Sequence, residues 1–259
     1  MHVVDLQGIS KKFRIPSARR DTLREHVFGL FNPRRFEDLW VLRDIRFTVK
    51  KGETFGIMGR NGCGKSTLLK IIAGIYRPDG GSLDVRAPLT PILGLGLGWN
   101  QELTARDNLL LTGTAMGMSL KELGEQFDDI IAFAELERFV DLQLKFYSSG
   151  MSARLAYSIA FRAVREILLL DEVFAVGDGA FTQRCQDRYT ELHKSGHTLL
   201  LVSHNPETIA KHCQRGVLID GGRVAFEGDS EGVAKAYERL VGGGEPSDGK
   251  PRTEGEAAG

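Results

Sequence analysis

The sequence is short of the features that mark several large classes of protein. Its 259 residues include only three cysteines, Cys63, Cys185 and Cys213, an odd number without C-x-x-C spacing. This argues against a disulfide framework and against a structural zinc site. Lysine plus arginine and aspartate plus glutamate both number 34. Because no excess of positive charge favours binding to nucleic acid, we expect no nucleic-acid partner.

Long hydrophobic runs are also missing. The longest apolar stretches have the length of a β-strand, and Met1-His2-Val3-Val4-Asp5 begins neither a signal peptide nor a membrane span. We therefore expect a cytosolic chain. Its length suits one larger domain with a substantial core.

A glycine-rich loop carries the strongest signal that is present. The form G-x-x-x-x-G-K-[ST] is filled by Gly59, Arg60, Asn61, Gly62, Cys63, Gly64, Lys65, Ser66 and Thr67. The apolar stretch 54–58 before it predicts a strand, and apolar residues after it recur at helical intervals. In that context backbone N–H groups and the positive end of the helix hold nucleotide phosphates.

The residue types within this loop predict separate roles. Lys65 supplies a positive charge for the outer phosphates, and the Ser66 hydroxyl is placed to coordinate Mg²⁺. A turn that merely links strand to helix has no need of Gly64, Lys65 and Ser66 in that order. Cys63 is either a small residue that fills a tight loop or a thiol whose pKa Lys65 lowers, which would make binding sensitive to oxidation.

Two apolar runs lead to side chains that can bind a metal or take part in catalysis. The run 167–170 is followed by Asp171 and Glu172, and the run 198–202 leads to His204. Because the carboxyl ends of parallel strands meet at one edge of a sheet, we expect these side chains to lie near the loop. Asp171 would then hold Mg²⁺, Glu172 would polarise the attacking water, and His204 would contact the γ-phosphate or that water. Taken alone, a solvated strand end and a structural histidine explain the same residues.

The early part of the chain predicts two strands with a helix between them. Residues 3–6 and 40–49 have strand-like apolar spacing. Between them Thr22-Leu23-Arg24-Glu25 has the spacing of a capping box, and apolar residues recur at helical intervals until Asn32-Pro33. This predicts an inserted amphipathic helix over about 22–31. Its apolar face would either cover its own domain or dock on a partner, and both alternatives remain open.

Helical periodicity dominates residues 102–163, where we expect a helical subdomain opened by Thr104 and Asp107. Strands and helices alternate after it, which predicts an α/β fold. A hairpin signal at Asp220-Gly221-Gly222 and a last helix near 231–241 complete a domain that spans 1–241. Glycine, proline, glutamate and serine predominate over 242–259, which predicts a disordered tail.

The segment Tyr147-Ser148-Ser149-Gly150-Met151 precedes another helix. It predicts a second exposed helix N-terminus that can bind an anion. An ordinary serine N-cap explains the same pattern. One anion site does not need two such elements unless two chains share it.

Taken in order, the phosphate loop, the serine–glycine segment, Asp171-Glu172 and His204 resemble the ATPase subunit of an ABC transporter. The resemblance implies the P-loop NTPase fold of ABC ATPases: a mostly parallel sheet core, antiparallel N-terminal strands and a helical subdomain. It also implies ATP and Mg²⁺ as cofactors. Phe13 matches the aromatic that stacks on adenine in this family, although a core aromatic would need no such role.

The same resemblance implies a homodimer of head-to-tail copies. The in-trans contacts to the γ-phosphate would come from one element, made of Ser148, Ser149, Gly150 and Met151. Asp178 falls in the loop that the family uses between subunits.

The serine–glycine segment is a variant form, and it is similar, together with Asp171 to Asp178, to the exporters of capsular polysaccharide, O-antigen or teichoic acid. This implies an integral membrane permease as partner, a polysaccharide cargo, and a place on the cytoplasmic face of the bacterial inner membrane. Most ABC ATPases have a glutamine where this chain has the glycine-rich stretch 93–99, which leaves the contact to the membrane subunit unassigned.

Two other functions share the core chemistry. One is the ATPase of a drug exporter, against which only the variant segment, the glycine-rich stretch and the inserted helix argue. The other is a soluble ABC ATPase that acts on DNA or ribosomes. Such proteins carry a long coiled-coil insertion or two cassettes, and the sequence shows neither.

Overall fold

The computed structural model of the protein describes residues 1–16, 36–92, 99–171 and 179–242. Its strands are β1 His2–Pro16, β2 Phe36–Lys50, β3 Thr54–Gly59, β4 Gly80–Val85, β5 Leu89–Ile92, β6 Ile167–Asp171, β7 Thr198–Ser203, β8 Arg215–Asp220 and β9 Arg223–Asp229. Its helices are α1 Lys65–Ile72, α2 Ala105–Ala115, α3 Leu120–Ala134, the 3-10 helix Leu144–Phe146, α4 Ser149–Arg162, α5 Gly179–Lys194, α6 Pro206–His212 and α7 Ser230–Val241.

The larger sheet is mostly parallel. Its strand order is β5-β6-β7-β3-β8-β9, and within it only the β8–β9 pair is antiparallel. Residues 167–170 and all of β7 are buried, as expected for apolar runs that helices cover on both faces. The carboxyl ends of β3, β6 and β7 therefore reach the same edge of the sheet, next to the loop that follows β3.

The predicted hairpin and last helix are confirmed. Strands β8 and β9 pair around a turn in which Gly221 and Gly222 have φ angles of 52° and 76°. A side chain at Gly222 would place its Cβ 2.4 Å from the carbonyl oxygen of Val41, so this turn needs glycine where it meets β2. The Asp229 side chain then caps α7 by accepting a hydrogen bond from the N–H of Gly232.

A smaller antiparallel sheet has the order β2-β1-β4. The two predicted N-terminal strands are confirmed, but both are longer than their apolar spacing indicates, since β1 continues to Pro16 and β2 begins at Phe36. Phe47 of β2 stacks on Phe55 of β3 at 5.1 Å, so the two sheets share one core. The predicted inserted helix at 22–31 and the predicted tail beyond Gly242 lie outside the described residues.

A layer of helices lies beside the parallel sheet. Thr104 and Asp107 form the predicted capping box at the start of α2, and Ser119 and Glu122 form another at α3. Helix α4 is buried on two sides. Leu155, Ile159 and Ala163 pack into the helical layer, whereas Tyr157, Ala160 and Phe161 pack towards α5 and the sheet.

These elements confirm the predicted α/β class with a mostly parallel core, antiparallel N-terminal strands and a helical layer. None of the helices in the described ranges combines the length and apolar character that crossing a lipid bilayer demands.

Candidate nucleotide-binding site

The phosphate loop joins β3 to α1 and has the backbone of an anion nest. Gly62 and Gly64 have φ angles of 80° and 108°, a region that favours glycine. A side chain at Gly64 would also place its Cβ 2.6 Å from Leu42 Cδ2. No side chain in the described part of the chain caps the N-terminus of α1, so the N–H groups of its first turn are available to an anion.

The ammonium group of Lys65 lies inside this loop. Lys65 Nζ donates hydrogen bonds to the carbonyl oxygens of Gly59 at 2.7 Å and of Arg60 at 3.1 Å, and the residue is only 6% exposed. The loop thus places a positive charge beside the open N-terminus of α1. Both favour an anion at this position.

The two predicted magnesium ligands lie next to each other. Ser66 Oγ, in the first turn of α1, donates to Asp171 Oδ2 at the end of β6 over 3.3 Å. A hydroxyl oxygen and a carboxylate oxygen are hard metal ligands that suit Mg²⁺, which keeps several waters and needs few protein ligands. Within the described residues no group of three or more His, Cys, Asp or Glu side chains is placed to hold a metal ion. A hydroxyl and a carboxylate side by side at the phosphate loop fit Mg²⁺ with phosphate and water as further ligands.

The loop after β7 brings His204 to the same edge. Ser203 of β7 lies opposite Met58 of β3 in the sheet, one residue before the phosphate loop begins. The Ser203 hydroxyl accepts a hydrogen bond from the N–H of Asn205, whose own side chain caps α6. These contacts fix the backbone on both sides of His204, whose side chain is exposed at the edge.

The serine–glycine segment forms the N-terminus of α4. Ser148 is the N-cap, and its Oγ accepts a hydrogen bond from the N–H of Met151 at 3.1 Å. Gly150 lies in the first turn, where a Cβ would have, among the described residues, only Ser148 Oγ within 4 Å. The simple N-cap interpretation of Ser148 is thus correct, and the surface beside Gly150 has room for another group.

A family model described as "ABC transporter" matches residues 42–175, which include the phosphate loop, the N-terminus of α4 and the end of β6. The chain belongs to the ABC transporter family. It is an ATP-binding cassette, an enzyme that hydrolyses ATP, and ATP is the nucleotide of its site.

Curated relatives extend this similarity over most of the chain. An ABC transporter protein, AbcA, of Aeromonas salmonicida is 38% identical over 92% of this chain and 77% of its own length. The O-antigen export system ATP-binding protein RfbB of Klebsiella pneumoniae is 38% identical over 93% of this chain and its entire length. The teichoic acids export ATP-binding protein TagH of Lactococcus lactis is 35% identical over 92% of this chain, which spans about half of that protein, 51%.

Solved structures agree on the fold. A dimeric ATP-binding cassette, MJ0796, bound to ADP and phosphate has a TM-score of 0.70 at 22% identity, over 88% of this chain and 98% of the other. The predicted P-loop fold of ABC ATPases is thereby confirmed for this cassette.

Two predicted site residues of the cassette, Glu172 and Asp178, lie outside the described residues. Glu172 follows Asp171 directly in the chain. Phe13 is described, and its ring is half-buried on β1, in edge-to-face contact with Tyr76 at 5.8 Å. Lys11 Nζ lies 5.6 Å from the centre of the Phe13 ring. Phe13 is therefore a partly exposed ring rather than a residue of the core, and its contact to adenine stays a prediction.

The expectation of a lowered pKa for Cys63 is wrong, although Lys65 does act in that direction. Burial raises the pKa of the Cys63 thiol, and the opposing effect of the Lys65 charge is smaller. The residue is 8% exposed, and a Cβ on Gly59 would lie 2.5 Å from its sulfur. Cys63 is a packing residue of the phosphate loop.

Sequence reasoning missed the contacts that join the residues just after the glycine-rich stretch to helix α2. Asn108 of α2 is 1% exposed, and its side chain bonds the N–H and the carbonyl oxygen of Asn100. Trp99 Nε1 also donates to Thr112 Oγ1 at 2.9 Å. A buried asparagine within an apolar helical pattern is the signal that could have revealed this junction.

Proposed function

We propose that the chain powers export of a polysaccharide, or of a lipid-linked polysaccharide, across the cytoplasmic membrane through a partner membrane subunit. The observation that carries the catalytic part is the contact between Ser66 and Asp171, because it joins the phosphate loop to the edge where β6 and β7 end. The names of the relatives support the cargo, since they are ATP-binding proteins of O-antigen and teichoic acid export.

Within one chain, different residues would bind the phosphates of ATP and the metal ion. Lys65 would exchange the carbonyl oxygens of Gly59 and Arg60 for phosphate oxygens, and the N–H groups of α1 would hold the same group. Ser66 and Asp171 would hold Mg²⁺, which supplies neutralisation of the charge on the transferring phosphate when it is bound.

Three further residues would contact the attacking water, the γ-phosphate or the adenine ring. Glu172 would accept the proton of the attacking water, and His204 would contact that water or the γ-phosphate. Phe13 would stack on adenine, with Tyr76 behind its ring. Phe13 thus holds the nucleotide at the end away from the reaction.

The site would be completed by a second copy of the chain. The N-terminus of α4, with Ser148 and Gly150 beside Ser149 and Met151, offers N–H groups to an anion, and the surface around Gly150 is open. Asp178 would lie between the copies. ATP would close this homodimer, and hydrolysis would reopen it.

Coupling to transport requires an integral membrane permease, which would place the cassette on the cytoplasmic face of the bacterial inner membrane. No observation on the chain favours a drug as cargo, whereas the relatives' names favour a glycan. Closure and opening of the two copies would drive the permease and so move the glycan outward.

The test uses cells that lack the chain, complemented with the wild type, with Glu172→Gln, or with the control Glu125→Gln on the exposed face of α3. We expect glycan to accumulate inside the cells without the chain and with Glu172→Gln, and surface glycan to return with the other two. A polytopic membrane protein should co-purify with the tagged chain. Normal surface glycan in the deletion strain, with loss of drug efflux instead, would contradict the proposed cargo.

A further inference from the structure

Glu135, the C-cap residue directly after α3, has an unusual backbone. Its φ and ψ angles are 57° and 45°, and glycine is the residue that usually ends a helix in this left-handed conformation. A side chain is disfavoured there. The presence of glutamate therefore calls for a contact that glycine cannot make.

Both oxygens of the Glu135 carboxylate are engaged by arginines from different helices. Oε2 accepts a hydrogen bond from Arg154 Nη1 of α4, and Oε1 accepts one from Arg184 Nη2 of α5. Arg184 Nη1 also donates to the carbonyl oxygen of Phe133 at 3.3 Å, which ties it to the last turn of α3. One carboxylate thus joins three helices. The hydrogen bonds from Arg184 and then Arg154 hold the pKa of Glu135 below its usual value, so the group is ionised at neutral pH.

A second contact strengthens the link between α4 and α5. The guanidinium of Arg154 lies 5.3 Å from the centre of the Phe181 ring, and Phe181 is fully buried in α5. The side chain of Arg154 is 18% exposed, so its charge is partly removed from water. If Glu135 were lost, Arg154 and Arg184 would keep their positive charges near each other without the carboxylate between them.

The position of this cluster relates it to the nucleotide. Arg154 is four residues after Gly150, about one helical turn, and so lies below the end of α4 that we propose to contact the ATP of the other copy. Arg184 lies in α5, which begins at Gly179, immediately after Asp178 in the chain. The apolar contacts between α4 and α5, made by Tyr157 and Phe161, come later along α4. Glu135 is thus the polar link nearest to the N-termini of both helices among the described contacts.

We propose that Glu135 is a positioning residue that holds the N-terminus of α4 in a fixed orientation relative to the start of α5, so that both meet the partner copy together when ATP closes the dimer. This inference rests on the proposed two-copy site. In this role Glu135 acts through Arg154 and Arg184 and does not itself contact the nucleotide. Its loss would leave ATP binding to a single copy unchanged and impair closure and turnover.

The test variant is Glu135→Gly. Glycine suits the left-handed backbone, so the end of α3 is retained while the carboxylate is removed. The control is Asp141→Asn. Like Glu135, Asp141 pairs with an arginine that lies over an aromatic ring: Arg106 is 2.9 Å from Asp141 and over Phe127. Among the described residues this pair has no ion pair with α5. Both variants are compared with the wild type for ATP affinity, turnover and thermal midpoint. Each is also made in a Glu172→Gln background for ATP-dependent dimerisation.

For Glu135→Gly we expect an unchanged Kd for ATP and a thermal midpoint like that of the control, with kcat and dimerisation each lowered about tenfold or more, since small misplacements of contacting groups are costly. Amide exchange in the first two turns of α4 should also rise in the nucleotide-free chain. Arg184→Ala should give the same pattern, and the double variant should be no worse than either single one.

The inference is overturned if Glu135→Gly turns over and dimerises like the control while the Glu172→Gln parent dimerises normally. It is also overturned if Kd for ATP rises while kcat and the thermal midpoint both fall, because that pattern marks a general loss of structure. If the Glu172→Gln parent stays monomeric with ATP, the proposed two-copy function fails, and the positioning role fails with it.

Discussion

Ser66 and Asp171 are 105 positions apart in the chain, yet Ser66 Oγ donates a hydrogen bond to Asp171 Oδ2 at 3.3 Å. The contact exists because α1 starts directly after the phosphate loop and β6 ends two strands away at the same edge. It is the point at which the loop that would hold phosphate meets the carboxylate that would hold the metal.

We predict that Ser66→Ala and Asp171→Asn each weaken the binding of Mg²⁺ that ATP hydrolysis requires. Losing a group that holds or orients a metal lowers its affinity about 10- to 100-fold, so the Mg²⁺ concentration for half-maximal turnover should rise by that factor. A magnesium titration of ATPase activity measures it. Ser82→Ala, on an exposed site of β4, should leave the titration unchanged. An unaltered titration in both site variants would remove the pair from the metal site.

Glu172→Gln and Lys65→Ala should separate turnover from binding. Loss of a general base costs about 10² to 10⁴-fold in rate, so Glu172→Gln should bind ATP normally and barely hydrolyse it. Lys65→Ala removes a charged hydrogen bond to phosphate worth about 1.5–3 kcal/mol, and Kd should rise about 10- to 100-fold. Equilibrium dialysis with labelled ATP measures Kd, with the exposed Lys121→Ala as control. Normal hydrolysis by Glu172→Gln would show that another group is the base.

Phe13→Ala should weaken binding of ATP but not of inorganic tripolyphosphate, which has no base to stack. Base–aromatic stacking is worth about 1–3 kcal/mol, which corresponds to a Kd roughly 5- to 100-fold higher. Competition titrations with the two ligands measure the difference. Phe36→Ala serves as the control, because Phe36 is an exposed aromatic residue at the start of β2. Equal losses for both ligands would mean that Phe13 supports the structure of the site instead of stacking on adenine.

The three thiols should be unreactive in the folded protein at pH 7. Burial raises the pKa of Cys63 and of Cys213 above the ordinary value and that of Cys185 to about 12. A raised pKa lowers the thiolate fraction at any given pH, and the thiolate is the reactive form. Alkylation at pH 7 should therefore be at least about tenfold slower than that of glutathione, and should accelerate with rising pH and on unfolding. Rapid labelling of Cys63 at neutral pH would contradict its buried, protonated state.

Local patterns in the sequence predict much of the fold. The spacing of Gly59, Gly64 and Lys65 fixes a strand, a loop and a helix within a few residues, and the capping box at Thr104 marks the start of α2. Strand length was less predictable. Strand β1 continues past Ile9 through Lys11 and Lys12, where pairing with β2 rather than apolar burial keeps the chain extended. Sequence periodicity reports burial and is silent about such pairing.

The sequence predicts the location of site residues that follow the end of a strand. It does not predict contacts between elements that are distant in the chain. Asp171 and His204 follow apolar runs, so their common edge could be inferred from parallel pairing. Tyr76 and Glu135 lie outside any motif, and their contacts depend on how helices pack. The pKa of Cys63 was misjudged because the nearby charge of Lys65 can be read from the sequence, whereas burial cannot.

The central claim is that each ATP site is built from two copies of the chain, and mixing two inactive variants tests it most directly. Lys65→Ala disables the phosphate loop, and Gly150→Glu places a negative charge beside the proposed phosphate contact, where there is room for a side chain. A mixed dimer has one site with both defects and one intact site. If half of the dimers are mixed, activity should recover to about a quarter of the wild-type value after subunit exchange. A mixture no more active than its separate components would contradict the shared site.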